Sequence, residues 1–217
     1  MKYILLITVT ILFFYSCSFT DNAQVVNEVI NEVGTKHKTK INGEIRSSNY
    51  SKNEGESSFS VLTISVYSDS NYLGFYNNIL YEIIDGLKKK GKGFSEYQVR
   101  DGSGAPVLNL TNESFNSLKE CRSVADKAND FIINKEFDQL INVIDRKHIK
   151  AHDTTIIGTL SGVTIPKKLE YVGFVPIDVL NNNDTIRLVN FAYHNFKLNT
   201  TLTITMDPES VLVAGIE

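Results

Sequence analysis

Two histidines have the spacing in this chain that is best suited to chemistry. His148 and His152 lie four positions apart, with Asp145 before them and Asp153 after them. On a helix this spacing places both imidazoles on one face, an arrangement that commonly holds a zinc ion. The glutamate of the H-E-x-x-H pattern is absent, however, and the basic side chains within residues 146–150 would repel a cation. We therefore expect a polar surface connection here, with no metal site and no cofactor.

Two segments partly match motifs for a catalytic nucleophile and for phosphate binding, but their spacing or their structural context differs from those motifs. Ser161 lies between Gly158 and Gly162, but not at the G-x-S-x-G spacing that exposes a nucleophile on a strand-to-helix turn. The glycine-rich segment at residues 101–104 is followed by Pro106, so it lacks the strand–loop–helix context of a phosphate-binding loop. The sequence therefore identifies no catalytic residue, and we expect a protein that is not an enzyme.

The amino terminus has the layout of a secretory signal peptide. Lys2 precedes an apolar run from Tyr3 to Tyr15, which is followed by small Ser16, by Cys17 and then by polar residues. The run has about 13 residues, whereas a helix needs about 20 to cross a bilayer, so a lasting transmembrane span is not expected. The sequence thus predicts export.

Ser16 and Cys17 at the end of this run resemble the lipobox of bacterial lipoproteins, including Bacteroidetes-like ones. Phe14 and Tyr15 depart from the leucine and small residue that are commoner there. The resemblance implies removal of residues 1–16, lipidation of Cys17 and a tether over residues 17–24. Several acyl chains would anchor the protein durably. The alternative is ordinary cleavage at a small-x-small site, which would release a soluble secreted protein.

Composition limits the remaining function classes. About 200 residues follow the signal peptide, enough for one large domain or two small ones. The formal net charge of −3 argues against a nucleic-acid binder, which would normally have a basic excess. Once Cys17 is lipidated, Cys121 has no partner for an intramolecular disulfide. Cys121 falls on the apolar stripe of a predicted helix, so we expect a buried, inert thiol.

The first part of the chain predicts a β-β-α-β unit behind a short helix, over residues 25–104. Apolar periodicity and turn residues place its elements. The expected helices are residues 25–33 and 72–90, and the expected strands are residues 41–47, 59–67 and 94–100. The polar, glycine-rich stretch at residues 101–106 is expected to be a turn or a linker, and it is the best internal boundary in the chain.

The second part, residues 107–217, predicts helices followed by a four-stranded antiparallel meander. Helical periodicity covers residues 113–134, 137–144 and 153–160. From residue 169 onward, apolar residues recur at every second position, which is typical of strands. Strands are expected at residues 169–179, 185–193, 198–206 and 211–216. The chain as a whole is therefore expected to be an α+β protein.

Helices followed by a long meander resemble the cystatin-like or nuclear-transport-factor-like α+β roll. In that architecture a curved sheet and its helices form a cone whose mouth sometimes holds a ligand. The resemblance implies a candidate pocket lined by Tyr171, Phe191, Tyr193 and His194. Fold analogy alone does not assign an activity.

Two short motifs resemble the O-glycan acceptor pattern of exported Bacteroidetes proteins. Thr154 follows Asp153, and Thr185 follows Asp184. Both motifs lie at predicted loops, so the resemblance implies Thr154 and Thr185 as candidate acceptors.

These observations favour a membrane-anchored lipoprotein of the cell envelope that acts as a binding or interaction module. Its expected partners are the membrane, reached through the lipid, and a protein or small apolar ligand. The expected location is the outer membrane, on its periplasmic or cell-surface side. Two alternatives stay open: a small hydrolase or isomerase that uses the cone, and a structural subunit of an envelope complex.

Overall fold

The computed structural model describes residues 22–51, 56–70, 72–181 and 184–217. They form an α+β protein with five helices and two four-stranded sheets, one mixed and one antiparallel. The expected signal peptide, residues 1–16, and the lipidation site Cys17 lie outside the described residues. Within the described parts of the chain, no helix combines the length and the apolar character needed to span a membrane.

The helices and strands follow one another largely as the periodicity predicts. The helices are α1 (residues 22–37), α2 (Leu73–Lys89), α3 (Asn112–Asn134), α4 (Phe137–Ile141) and α5 (Asp153–Ser161). The strands are β1 (Lys40–Ser51), β2 (Glu56–Tyr67), β3 (Glu96–Arg100), β4 (Pro106–Thr111), β5 (Glu170–Asn181), β6 (Asp184–Asn195), β7 (Thr200–Asp207) and β8 (Leu212–Ile216). Residues 22–24, expected in the tether, already belong to α1.

The chain divides into two compact units. The first contains the residues up to Asp69 together with Ile79–Thr111, and the second contains Ser70–Asn78 together with Asn112–Glu217. The stretch at residues 101–106, expected as a turn or a linker, lies within the first unit. That stretch is a hairpin turn, because the Asp101 carboxylate accepts hydrogen bonds from the N–H groups of Ser103 and Ala105, each at 2.9 Å. The turn joins β3 to β4, which the sequence analysis missed.

The first unit contains a mixed sheet in the order β1-β2-β3-β4. β2 and β3 are parallel, so the connection between them has to cross over, and α2 provides the crossover. The unit is therefore β-β-α-β-β behind α1. Its core consists of apolar side chains that recur at helical spacing on α1 and α2 and at alternate positions on β2: Val26, Val29, Ile30, Val33, Leu62, Ile64, Val66, Ile79, Leu80, Ile83, Ile84 and Leu87.

The second unit contains an antiparallel sheet in the order β5-β6-β7-β8, and α3 packs on β6, β7 and β8. The buried face of α3 contains the predicted positions Phe115, Leu118, Cys121, Ala125, Ala128 and Ile132. Val124 and Phe131, also predicted inward, are half-buried, and polar Asn129 is buried in addition.

Strand alternation on β6 decides which of its side chains face α3. Phe191 and Tyr193 are 0% and 2% exposed, and Tyr193 reaches Asp126 of α3. His194 follows Tyr193 directly, so its side chain lies on the opposite face of the sheet.

Candidate functional site

A buried cluster of three titratable side chains lies in the second unit. Asp145 and His148 belong to the connection between α4 and α5, and Asp207 is the last residue of β7. His148 Nε2 lies 2.9 Å from Asp207 Oδ2 and 4.0 Å from Asp145 Oδ2. The two aspartates are only 5% and 1% exposed, so both carboxylates are withdrawn from water.

Backbone pairing brings these residues together, although His148 and Asp207 are 59 positions apart. Ile144 forms a parallel bridge with Val213 of β8. The N–H of Asp145 donates to the Val213 carbonyl, and the N–H of Val213 donates to the carbonyl of residue 143, each at 2.8 Å. This short added pairing holds the α4–α5 connection against the β7–β8 hairpin.

The carboxylate oxygens of the cluster already accept hydrogen bonds. Asp145 Oδ1 accepts from the N–H of Lys147 at 2.8 Å, and Asp145 Oδ2 accepts from the hydroxyl of Ser210 at 2.6 Å. Asp207 Oδ1 accepts from the N–H of Glu209 at 2.9 Å, while Oδ2 faces the imidazole. Buried polar groups with such partners avoid the cost of an unsatisfied acceptor.

The charges around Asp207 favour its ionised form. Burial raises the pKa of Asp207, but the hydrogen bonds from His148 and Glu209 and the positive charge of Lys147 outweigh burial and leave the pKa below its ordinary value. The Lys147 ammonium is 3.6 Å from Asp207 Oδ2. Because an ionised carboxylate only accepts hydrogen bonds, His148 Nε2 carries the hydrogen in this contact.

The same cluster has a composition that can hold a divalent cation. The three ligand atoms of Asp145, His148 and Asp207 lie within 4.8 Å of one another. Its hydrogen bonds oppose that use, because a metal requires the Nε2 lone pair, whereas this nitrogen donates to Asp207. A cation would also meet the Lys147 ammonium. These residues are better suited to hold the α4–α5 connection against the β7–β8 hairpin by hydrogen bonds than to bind a metal ion.

The structure does not place His148 and His152 together on one helix face, the arrangement that a metal site would need. Residues 145–151 form turns, and α5 begins only at Asp153, with exposed His152 before it. Arg146 pairs with Asp153, so that carboxylate neutralises an arginine. The expected polar connection is present, but its histidine at position 148 is half-buried and bonded to β7.

The four candidate pocket residues lie on two faces of the sheet. The ring centroids of Tyr171 and Tyr193 are 5.7 Å apart, and those of Tyr171 and Phe191 are 6.4 Å apart. His194 lies on the opposite face, where its Nδ1 is 2.9 Å from the Thr201 hydroxyl. The structure therefore groups the three aromatic residues beneath α3 and separates them from His194.

Tyr193 serves as a hydrogen-bond donor that joins β6 to α3. Its hydroxyl donates to Asp126 Oδ1 at 2.7 Å, and burial followed by the Asp126 charge raises the pKa of Tyr193. The Arg122 guanidinium lies 3.9 Å from the ring centroid of Tyr171. A phenol held in its protonated form by a carboxylate is poorly suited to act as a general base at neutral pH.

The candidate glycan acceptors are both exposed. Thr154 lies in the first turn of α5, rather than in the predicted loop, and Thr185 lies near the start of β6. Their glycosylation stays a prediction. Cys121 is fully buried, as expected, and burial followed by the nearby Asp207 charge raises the pKa of its thiol to about 11.

Helix α5 is the one feature of the second unit that the sequence analysis did not recognise as a surface. It has nine residues and none of them is buried; its three aliphatic side chains, Ile156, Ile157 and Leu160, are half-buried. The sequence gives only a weak signal for this, because Ile156, Ile157 and Leu160 form one short apolar stripe of the kind that usually packs on a core.

Comparison with known proteins adds no further functional residue. No protein-family model, no curated protein and no solved structure matches the chain. The assignment of a function therefore rests on the sequence and on the geometry of the described residues.

Proposed function

We propose that this protein is a lipoprotein of the cell envelope, anchored through Cys17, whose second unit is a non-enzymatic binding module for an apolar segment of another protein. The observation that carries the proposal is α5. A helix normally buries its aliphatic side chains against its own domain, whereas Ile156, Ile157 and Leu160 of α5 are only half-buried. Apolar surface retained in this way is typical of a surface that a partner covers.

A cleft beside α5 defines where the partner would bind. Its volume is about 190 Å³, and its lining is mostly apolar. The α4–α5 connection supplies part of the lining, α5 supplies most of the rest, and β8 contributes one residue: Ile144, Ile149, Ala151, Thr155, Ile156, Thr159, Leu160 and Ile216.

The size of the cleft indicates the class of ligand. Sites for small organic ligands typically have about 300–1,000 Å³, so 190 Å³ is small for such a molecule. One or two apolar side chains of a peptide or protein fit this volume. Interfaces of this kind draw most of their affinity from a few such anchor side chains.

The polar groups of the second unit support binding more than catalysis. His148 and Asp207 are hydrogen-bonded to each other, Tyr193 is bonded to Asp126, and His194 is on the other face of the sheet. A catalytic site requires convergent groups with a free reacting face. The order of helices followed by an antiparallel sheet, with α3 on one face, supports a cystatin-like roll for this unit.

The anchor is tested by changing the proposed acyl acceptor. Replacing Cys17 with serine (Cys17→Ser) removes the thiol, so we expect loss of labelled-palmitate incorporation and transfer of the protein from the detergent phase to the aqueous phase. Cys121→Ser is the matched control and should retain the label. Palmitate incorporation that persists in Cys17→Ser would refute the anchor.

The binding surface is tested by photo-crosslinking from α5 in cells. A benzoylphenylalanine at Ile156 should give a discrete protein adduct, and adding Leu160→Asp should reduce its yield about tenfold, because a buried charge without a partner opposes docking. Thr154→Asp adds the same charge on an exposed position of α5 outside the cleft and should leave the yield unchanged. An adduct that is insensitive to Leu160→Asp would exclude this cleft.

A further inference from the structure

The turn between β6 and β7 carries the two most exposed large apolar side chains among the described residues. Phe196 is 69% exposed and Leu198 is 65% exposed, with Lys197 between them. We call residues 195–199 the β6–β7 tip. Adjacent aromatic and aliphatic side chains in water are unfavourable, so a state in which they are covered is favoured.

The β6–β7 tip holds these side chains outward in a defined conformation. The side-chain oxygen of Asn195 accepts hydrogen bonds from the N–H groups of Lys197 and Leu198, at 3.0 and 2.9 Å. The ring of Phe196 packs edge-on against His194, with centroids 4.7 Å apart. Pre-organisation of this kind reduces the entropy lost when the tip is covered.

Positive charge surrounds the β6–β7 tip. The side-chain N–H of Asn195 donates to the Lys168 carbonyl at 2.7 Å, which places the start of β5 beside the tip. Lys167, Lys168 and Lys197 are all exposed there. Glu170 pairs with Lys168 at 2.7 Å, and the backbone of Glu217, after β8, pairs with Thr203, three positions into β7. The side chains next to the tip itself are therefore mainly basic, with Lys167 and Lys197 exposed, although the whole chain has a net charge of −3.

We propose that the β6–β7 tip inserts into the headgroup region of a membrane that contains anionic lipids. Phe196 and Leu198 would enter the boundary with the acyl chains, and the lysines would lie among the phosphates. Two side chains on a convex turn bury far less than the roughly 1,000 Å² of a specific protein interface, which favours a lipid surface over a protein. This proposal goes beyond the function proposed above and does not depend on acylation of Cys17.

The chain contains no tryptophan, so a single one reports on its own surroundings. In the chain from residue 17 onward, the form expected after removal of the signal peptide, Cys17→Ser combined with Phe196→Trp should show a blue shift of its emission with phosphatidylcholine vesicles that contain phosphatidylglycerol. Brominated acyl chains should quench this emission. Phe59→Trp, at a position 42% exposed in the first unit, is the control and should show neither change.

Vesicle co-sedimentation gives an independent measure. The double variant Phe196→Ser/Leu198→Ser in the same background should lower partitioning to anionic vesicles about tenfold, because it removes the inserting apolar surface. Phe59→Ser/Leu73→Ser removes an equivalent aromatic and aliphatic pair elsewhere and should leave partitioning unchanged.

Three results would overturn the proposal. The first is an emission from Phe196→Trp that is the same with and without anionic vesicles. The second is an equal shift with vesicles of phosphatidylcholine alone, which would remove the role of the lysines. The third is a shift that requires an added envelope protein, which would make the tip a protein contact.

Discussion

Gly173→Ala is expected to lower the free energy of unfolding of the second unit by about 3 kcal/mol, one of the two largest effects among the substitutions considered. Gly173 has φ +148°, a conformation that residues with a side chain rarely adopt. An added Cβ would lie 2.6 Å from the carbonyl carbon of Gly74 and would press against its oxygen. Both contacts are with backbone, which cannot rotate away as a side chain can.

The close approach at Gly173 exists because the start of α2 packs on the edge strand β5. The side-chain N–H of Asn77 donates to the Phe174 carbonyl at 2.9 Å in a buried contact. A shift in register between Tyr171 and Gly173 marks a bulge in β5 at this point. Separating the two segments to admit a methyl group would also break this buried hydrogen bond.

A second glycine in the same unit provides the matched control. Gly158 lies within α5, and an added Cβ would have no atom within 4 Å. Gly158→Ala should therefore raise the free energy of unfolding by about 0.5–1 kcal/mol, because alanine favours the helix. Urea unfolding followed by circular dichroism measures both variants. Equal midpoints for Gly173→Ala and the wild type would contradict the close approach seen here.

The regular elements could be predicted because their side chains repeat at the spacing of the structure they form. The alternation in β7 predicts a strand and the apolar stripe of α3 predicts a helix with one buried face, so their type and position follow from local sequence. Alternation does not predict which residues of β7 are buried, because Thr205 and Asp207 are buried together with Ile204 and Met206. The strand β4 was missed because Pro106 and the preceding glycines indicate a turn or a linker, and neither predicts a strand after it. The pairing of β4 with β3 depends on the turn that the Asp101 side chain stabilises. A turn of this kind produces no repeating pattern of apolar residues, so the spacing of apolar residues does not predict it.

The candidate site could be predicted only in part, because its contacts join residues that are distant in the sequence. His148 stood out by its spacing from His152, yet its partner is Asp207, which reads locally as an ordinary turn residue before a proline. Asp207 does fill that turn role, since it accepts from the N–H of Glu209. Its second role arises from the pairing of Ile144 with Val213, a contact without a local signature.

Asp207→Asn is expected to lower the free energy of unfolding by about 3 kcal/mol at neutral pH. The substitution keeps the shape of the side chain but removes the charge that faces His148 and Lys147. Asp207 is 1% exposed, so water cannot replace the lost interaction. Asp178→Asn is the control, because its pairing with Arg187 at 3.3 Å is exposed and should contribute less than about 1 kcal/mol.

The stabilisation by Asp207 should depend on pH in a defined direction. The folded pKa of Asp207 lies below its ordinary value. The contribution of the carboxylate is therefore fully present above the unfolded pKa, near about 4, and is lost as the pH falls through the folded pKa. Urea unfolding at several pH values should show the gap between wild type and Asp207→Asn narrowing below about pH 4. The difference between the two proteins cancels the titration of carboxylates elsewhere.

A double-mutant cycle separates the contact with His148 from the other interactions of Asp207. If the contact between His148 and Asp207 stabilises the fold, the double variant His148→Gln/Asp207→Asn should lose less free energy of unfolding than the sum of the two single losses. The reason is that either substitution alone already breaks the contact. The titratable groups that face Asp207 are Asp145, Lys147, His148 and the Cys121 thiol. The variant Lys147→Gln therefore tests the contribution of the Lys147 ammonium, the other positive group near the carboxylate. Additive effects for His148 and Asp207 would show that the carboxylate acts through the turn at Glu209 instead.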